Sequence, residues 1–117
     1  MDPSVRHFSG LSAEQAVADH YMRSGRQIAA RRWRGPGGEI DLIVREDDRI
    51  VFVEVKKSRS FARAAQRIGQ RQIARIFASA ESFLAHEPRG LLTEARFDVA
   101  LVDGQGRIEV IENAFAA

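Results

Sequence analysis

The chain predicts an α/β layered domain, a mixed β-sheet flanked by helices in the order αβββαββ. Three observations carry that reading. Two short apolar runs, Ile40–Val44 and Ile50–Val55, are rich in Val, Ile and Phe and too short for helices. Two longer segments repeat their apolar residues with the 3.6-residue period of a helix. The second of these lies between two strand-rich stretches, each with its own turn signal.

Taken in order, residues 1–10 are expected to be loose, with the core of a single domain, 1–117, spanning about residues 11–115. Ser12 suits an N-cap, and Gln15 completes a capping-box spacing. The helix that follows runs to about Ser24, with Ala13, Val17 and Tyr21 as its apolar stripe and Gly25 as its C-terminal cap. Gln27–Trp33 reads as the first strand, with Trp33 packed on the core. Arg31, Arg32 and Arg34 flank it, either as a solvated strand end or as a basic platform for nucleic acid. Gly35-Pro36-Gly37-Gly38 turns the chain back. It lacks the Lys-Ser/Thr and the helix of a phosphate-binding loop, so its glycines are read as geometric.

Glu46-Asp47-Asp48-Arg49 separates the two central runs, which read as a hairpin. If these four residues form the loop, Arg45 faces Ile50, Ile43 faces Phe52, Asp41 faces Glu54 and Glu39 faces Lys56. Alternation then sets Glu39, Asp41, Glu54 and Lys56 on one face and Ile40, Leu42, Val44, Val51, Val53 and Val55 on the other.

Seven cations and no acid follow between Lys56 and Ala80: Lys56, Lys57, Arg59, Arg63, Arg67, Arg71 and Arg75. The five arginines recur every fourth residue, a slowly drifting stripe on a helix. A solvated face is one reading of it. The unbalanced sign favours the other, phosphate binding. Ser58–Ile68 reads as a loop with a partial helical turn. From about Gln70 to His86 a helix is predicted, with Ile73, Ile76, Phe77, Ala80, Phe83 and Leu84 in the core and Pro88 as its stop. Ala95–Val102 and Arg107–Ile111 read as the last strands, joined by Asp103-Gly104-Gln105-Gly106. Asp98 is expected to form a structural ion pair with Arg96 or another arginine. His7, His20 and His86 have no ligand spacing.

Composition excludes several classes of function. At 117 residues, 44% hydrophobic and 29% charged, the chain suits one globular domain. It has no cysteine, hence no disulfide framework, thiolate metal site or Cys nucleophile. No apolar run approaches a membrane span, and Met1–Arg6 lacks a signal-peptide core, so a cytoplasmic location without membrane contact is expected. A net charge of +2 is too small to argue nucleic-acid binding on its own.

The chemistry centres on Asp41 and Glu54. Like charges directly opposite each other destabilise a sheet, and sheltered charges are costly unless paired or metal-bound. Setting the two together implies a cation between them, and oxygen-only ligands favour Mg²⁺ or Mn²⁺ over zinc. A plain structural reading, a Glu39–Lys56 ion pair on a half-exposed hairpin, leaves Asp41 against Glu54 unexplained.

Asp41, Glu54 and Lys56 form a D…E-V-K pattern. With Gly38-Glu39-Ile40-Asp41-Leu42-Ile43, Val51-Phe52-Val53-Glu54-Val55-Lys56, Arg96-Phe97-Asp98-Val99 and Asn113-Ala114-Phe115, the chain resembles the PD-(D/E)XK, restriction-endonuclease-like nucleases over roughly residues 10–115. It is most similar to the small bacterial YraN-like family, itself distantly similar to archaeal Holliday-junction resolvases. The resemblance implies the restriction-endonuclease-like fold and Mg²⁺-dependent hydrolysis of phosphodiester bonds in DNA, with branched DNA as a candidate substrate. It implies Asp41 and Glu54 as metal ligands, the Val55 carbonyl as a further one, and Lys56 as the residue acting on the attacking water. Glu39 would hold Lys56 or a second ion. For Glu14 it offers a helix-borne metal ligand, beside the plainer reading of an acid suited to the helix dipole. An Ala at position 13 departs from the family's usual Gly, and Arg71 from its usual Lys, which excludes proton transfer there. Lys57, Arg59, Arg63, Arg67 and Arg71, with Arg32 and Arg34, would bind the nucleic acid. A non-catalytic nucleic-acid-binding module of the same fold is the second reading and a protein–protein adaptor the third. A homodimer is compatible with the sequence but not shown by it.

Overall fold

The computed structural model describes residues 10–57 and 70–114, the side chains of residues 10, 11, 70 and 71 excepted. The expectations for residues 1–9, for the Ser58–Ile68 loop and for Phe115 lie outside the described residues. The elements are α1 (Gly10–Arg23), β1 (Gln27–Gly35), β2 (Gly38–Glu46), β3 (Arg49–Lys57), α2 (Gln70–Leu84), a 3₁₀ turn at Gly90–Leu92, β4 (Ala95–Val102) and β5 (Ile108–Ile111). The order αβββαββ holds, with the 3₁₀ turn added. The strands form one sheet in the order β1-β2-β3-β4-β5. Strands β3 and β4 pair in parallel and the other neighbours antiparallel, so the sheet is mixed. Among the described residues no helix is long and apolar enough to cross a membrane.

Each helix covers one face of the sheet. Ala13, Val17, Ala18 and Tyr21 of α1 pack on Leu42, Val44, Val51 and Val53, with Ala100 and Val102 of β4. Ala80 and Leu84 of α2 pack on Ile40, Ile43, Ile50 and Phe52, with Phe83, Phe97 and Trp33 beside them. Trp33 meets Phe83 edge-to-face at 5.5 Å, a core aromatic as expected. Phe77, expected in the core, stays about one-third exposed at 36%, although its ring stands edge-on to Phe97 at 4.6 Å.

The central hairpin keeps the predicted register where it is paired. Arg45 faces Ile50 and Ile43 faces Phe52, but Glu46 also pairs with Arg49, so the loop is the two residues Asp47 and Asp48. Asp47 takes a left-handed φ of 55°, which a short polar side chain tolerates. One face assignment is corrected. Ile40 packs with Ile43 under α2 instead of with Leu42 and Val44 under α1. Alternation therefore slips at Asp41, where β2 is held by an irregular β1 opposite. Strand β1 carries a register shift between Ile28 and Ala30, and Arg32 adopts φ 49°.

The N-terminal cap is also corrected. Helix α1 starts at Gly10, so Ser12 and Gln15 lie within it. Gln15 bonds Asp19 at 2.8 Å and accepts from Arg31 at 2.8 Å instead of closing a capping box. The C-terminal cap is as expected. Gly25 has φ 87°, and the Gly25 and Arg26 N–H groups return to the Met22 and Tyr21 carbonyls at 3.0 and 3.2 Å.

A polar knot locks the far end of the sheet. Asp98, fully buried, accepts from Tyr21 Oη at 2.9 Å, from Arg96 Nε at 3.0 Å and from the Asn113 N–H at 3.1 Å. The ion pair with Arg96 is the structural one expected. Arg96 also reaches Glu46 at 3.3 Å, and Glu46 further gathers Arg26 and Arg49. Burial and the neighbouring Asp98 charge raise the Tyr21 hydroxyl pKa, whereas the Arg26 hydrogen bond holds Glu46 below its ordinary range.

Candidate functional site

The sheet forks at the residues singled out by sequence. Pairing between β2 and β3 ends at Leu42 opposite Val53. Beyond that point β2 continues along β1 to Gly38 opposite Gly35, and β3 continues along β4 to Lys57 opposite Val102. Asp41 stands on one prong, and Glu54, Val55 and Lys56 on the other. The predicted ladder pairs Asp41–Glu54 and Glu39–Lys56 therefore do not form. In their place the Asp41 carboxylate spans the fork, and its Oδ2 accepts the Val55 N–H at 2.8 Å.

Glu54 is buried, 5% exposed. Its Oε2 accepts from Gln72 Nε2 at 2.8 Å. Its Oε1 is buried and has no hydrogen-bond partner among the described residues. Burial first, and then the Asp41 charge, push the Glu54 carboxyl up to about 7; Lys56, the Asp41 backbone and the Gln72 amide pull the other way. Burial likewise raises the Asp41 pKa against the opposing Val55 N–H and Lys56 charge. Lys56 thus lies within electrostatic reach of both carboxylates. Two sheltered carboxylates with a partnerless oxygen are costly without a proton or a cation between them.

A cavity of about 170 Å³ opens beside Glu54, lined by Gly37, Gly38, Glu39, Gln72, Arg75 and Ile76. Its shape depends on how the β1–β2 turn meets α2. A Cβ at Gly37 would stand 2.1 Å from the Arg75 carbonyl oxygen, so only glycine permits that approach. Ser79 of α2, 1% exposed, clasps the turn: its Oγ accepts the Gly37 N–H at 3.0 Å and donates to the Gly38 carbonyl at 2.9 Å. The glycines are geometric, as expected.

The other predicted residues are placed differently. Glu39 turns to Arg32 at 3.4 Å and Arg34 at 4.0 Å instead of Lys56, because β2 follows β1 past the fork. Glu14 sits on α1 by a separate cavity of about 200 Å³, with Gln15, Arg31, Arg32 and Leu42. Burial and the Asp41 charge raise the Glu14 pKa, so it lies within the field of the site. Val55 is half-buried, its side chain packed on the α1-side core. Lys57 is half-buried at the end of β3. Arg71 lies in the first turn of α2, its side chain outside the described residues, and Arg59, Arg63 and Arg67 lie outside them altogether.

Among the described residues, no three His, Cys, Asp or Glu side chains cluster tightly enough to cage a metal. The donors present still suit Mg²⁺ or Mn²⁺, hard ions bound through one or two carboxylates while keeping several waters. The partnerless Glu54 Oε1, on a carboxyl that also feels the Asp41 charge, is the observation that fits such an ion. Sequence reasoning missed Gln72 and Ser79. The signal was available: both interrupt the apolar stripe of α2, seven residues apart with Ile76 between them.

The profile of the Uncharacterised protein family UPF0102 matches residues 13–102. A UPF0102 protein of Cereibacter sphaeroides is 61% identical over 117 residues, all of both chains. One of Ruegeria pomeroyi is 59% identical over 109 residues, 93% of this chain and 89% of that one. One of Dinoroseobacter shibae is 47% identical over 105 residues, 90% of this chain and 78% of that one.

Proposed function

This chain belongs to the uncharacterised protein family UPF0102, and we propose that its forked site is that of a divalent-metal-dependent endonuclease acting on DNA, on the restriction-endonuclease-like plan. The observation that carries the reading is a buried Glu54 whose Oε1 has no hydrogen-bond partner among the described residues, within electrostatic reach of Asp41 across the fork and of Lys56. Asp41 and Glu54 would hold the ion, with the Val55 carbonyl as a further ligand and Glu14 as an outlying carboxylate. When bound, Mg²⁺ or Mn²⁺ supplies Lewis acidity to the scissile phosphate and lowers the pKa of a bound water. Asp41 keeps one oxygen on the Val55 N–H, which fixes its orientation. Lys56 orients or deprotonates the attacking water and offsets charge developing on the phosphate. Lys57 and the arginines Arg59, Arg63, Arg67 and Arg71 grip the backbone without reading sequence, and Arg32 and Arg34 of β1 serve the same role.

The second reading, a nucleic-acid-binding module without chemistry, is favoured by one observation: Asp41 and Glu54 have no third clustered carboxylate among the described residues. Labelled duplex, forked and four-way-junction DNA, incubated with Mn²⁺ or with EDTA, separates the two. Metal-dependent cleavage by the parent and none by Asp41→Asn is the expected result. Tight binding without cleavage on every substrate, at any Mg²⁺ or Mn²⁺ concentration, leaves the binding module.

A further inference from the structure

We infer that Gln72 is a positioning residue of this site: by holding Oε2 of Glu54 it makes Oε1 the oxygen presented to a divalent cation. The inference rests on the metal-site reading above. A carboxylate free to turn about its last bond offers two equivalent oxygens. The 2.8 Å bond from Gln72 Nε2 removes that equivalence, occupying Oε2 and leaving Oε1 buried without a partner. A carboxamide NH₂ can only donate, so Oε2 stays an acceptor and any proton or cation falls to Oε1. Gln72 lines the same cavity as Glu54.

Its own position is also fixed. Gln72 lies two helical turns before Ser79, which is bonded to both Gly37 and Gly38 at the base of the Asp41 prong. One rigid helix thus registers the support of Glu54 against the strand that carries Asp41. A glutamine that merely satisfied a buried acid would affect stability. A positioning glutamine also changes metal affinity, and outer-shell partners of this kind typically contribute about 10–100-fold.

The test is a Mn²⁺ titration followed by thermal unfolding of the full chain, for the parent, Gln72→Met, Gln72→His and Glu54→Gln. Met keeps the length and loses the donor, whereas His keeps a donor. The half-saturating Mn²⁺ concentration is expected to rise about 10–100-fold in Gln72→Met, to return towards the parent in Gln72→His, and to be unmeasurable in Glu54→Gln. If Gln72→Met does not fold, Gln72→Asn, whose shorter amide cannot reach Oε2, replaces it. Equal half-saturation in the parent and the donor-less variant, with Glu54→Gln unresponsive, overturns the role of Gln72 and leaves the metal site standing. A parent that does not respond to Mn²⁺ removes the site and the inference together.

Discussion

Replacing Glu54 by Gln tests the centre of the site without any substrate. The folded carboxyl is pushed up to about 7 from an ordinary 4.5, chiefly because it is buried and then by the Asp41 charge. Below about pH 4.5 Glu54 is protonated whether the chain is folded or not, and it carries no penalty. Between about 4.5 and 7 the folded chain keeps a proton that the unfolded chain has released, so stability falls as pH rises. Above about 7 the whole penalty applies. At about 1.4 kcal/mol per pKa unit the gap corresponds to about 3 kcal/mol in metal-free protein. Gln cannot ionise, and its carbonyl can still accept from Gln72. Glu54→Gln should therefore come close to the parent near pH 5 and exceed it near pH 8, by roughly 12 °C at about 4 °C per kcal/mol for a domain of this size. The assay is thermal unfolding of both proteins in EDTA at four pH values from 5 to 8. Saturating Mn²⁺ at pH 8 should reverse the order, since only the parent gains from binding to the folded state. A difference that does not change with pH, or a variant less stable at pH 8, would refute the reasoning.

Four further outcomes are expected. Asp41→Asn retains an oxygen for the Val55 N–H, so metal-free Asp41→Asn should melt no lower than the parent, and Mn²⁺ should barely move it in the same scan. Lys56→Ala should abolish cleavage while leaving the Mn²⁺-induced rise in melting temperature intact, whereas Lys57→Ala should lose far less activity; equal losses would contradict an assignment of water activation to Lys56. Gly37→Ala sets a methyl against the Arg75 carbonyl and should lower stability by about 1–3 kcal/mol, read by chemical denaturation. DNA affinity should fall steeply with salt, by about 0.9 in log K per log salt for each phosphate neutralised, and Arg63→Ala, Arg67→Ala and Arg71→Ala should reduce that slope for all sequences alike.

Much of this protein is legible in short-range patterns. The two central runs declare a hairpin, and their alternation gives its register from Arg45–Ile50 to Ile43–Phe52. The stripes Ala13–Val17–Tyr21 and Ile76–Ala80–Leu84 declare the faces of the two helices, all six side chains being buried. The fork is different. It arises because β1 and β4 each hold one central strand past the point where those strands separate. Ile40 then joins Trp33 beneath α2, and no local alternation encodes that choice. For the same reason Glu39 was expected opposite Lys56 and instead meets Arg32 and Arg34. Glu46 reads locally as a loop residue, yet arginines from three separate stretches, Arg26, Arg49 and Arg96, converge on it. That convergence depends on contacts 20 and 50 residues apart, which periodicity cannot see.

The bond across the fork also gives the molecule an internal spectroscopic probe. At Val55 the amide proton rests on a carboxylate oxygen of Asp41, 2.8 Å away, where a regular strand would offer a peptide carbonyl. An N–H held by an ionised side chain is deshielded, and its resonance follows the charge of that side chain. In a ¹⁵N–¹H correlation spectrum the Val55 cross-peak should therefore move as Asp41 gains a proton or shares its charge with a diamagnetic ion such as Mg²⁺. Val51, further along the regular ladder opposite Val44, supplies the reference. The backbone itself thus reports the electrical state of the site, in unmodified protein and without nucleic acid.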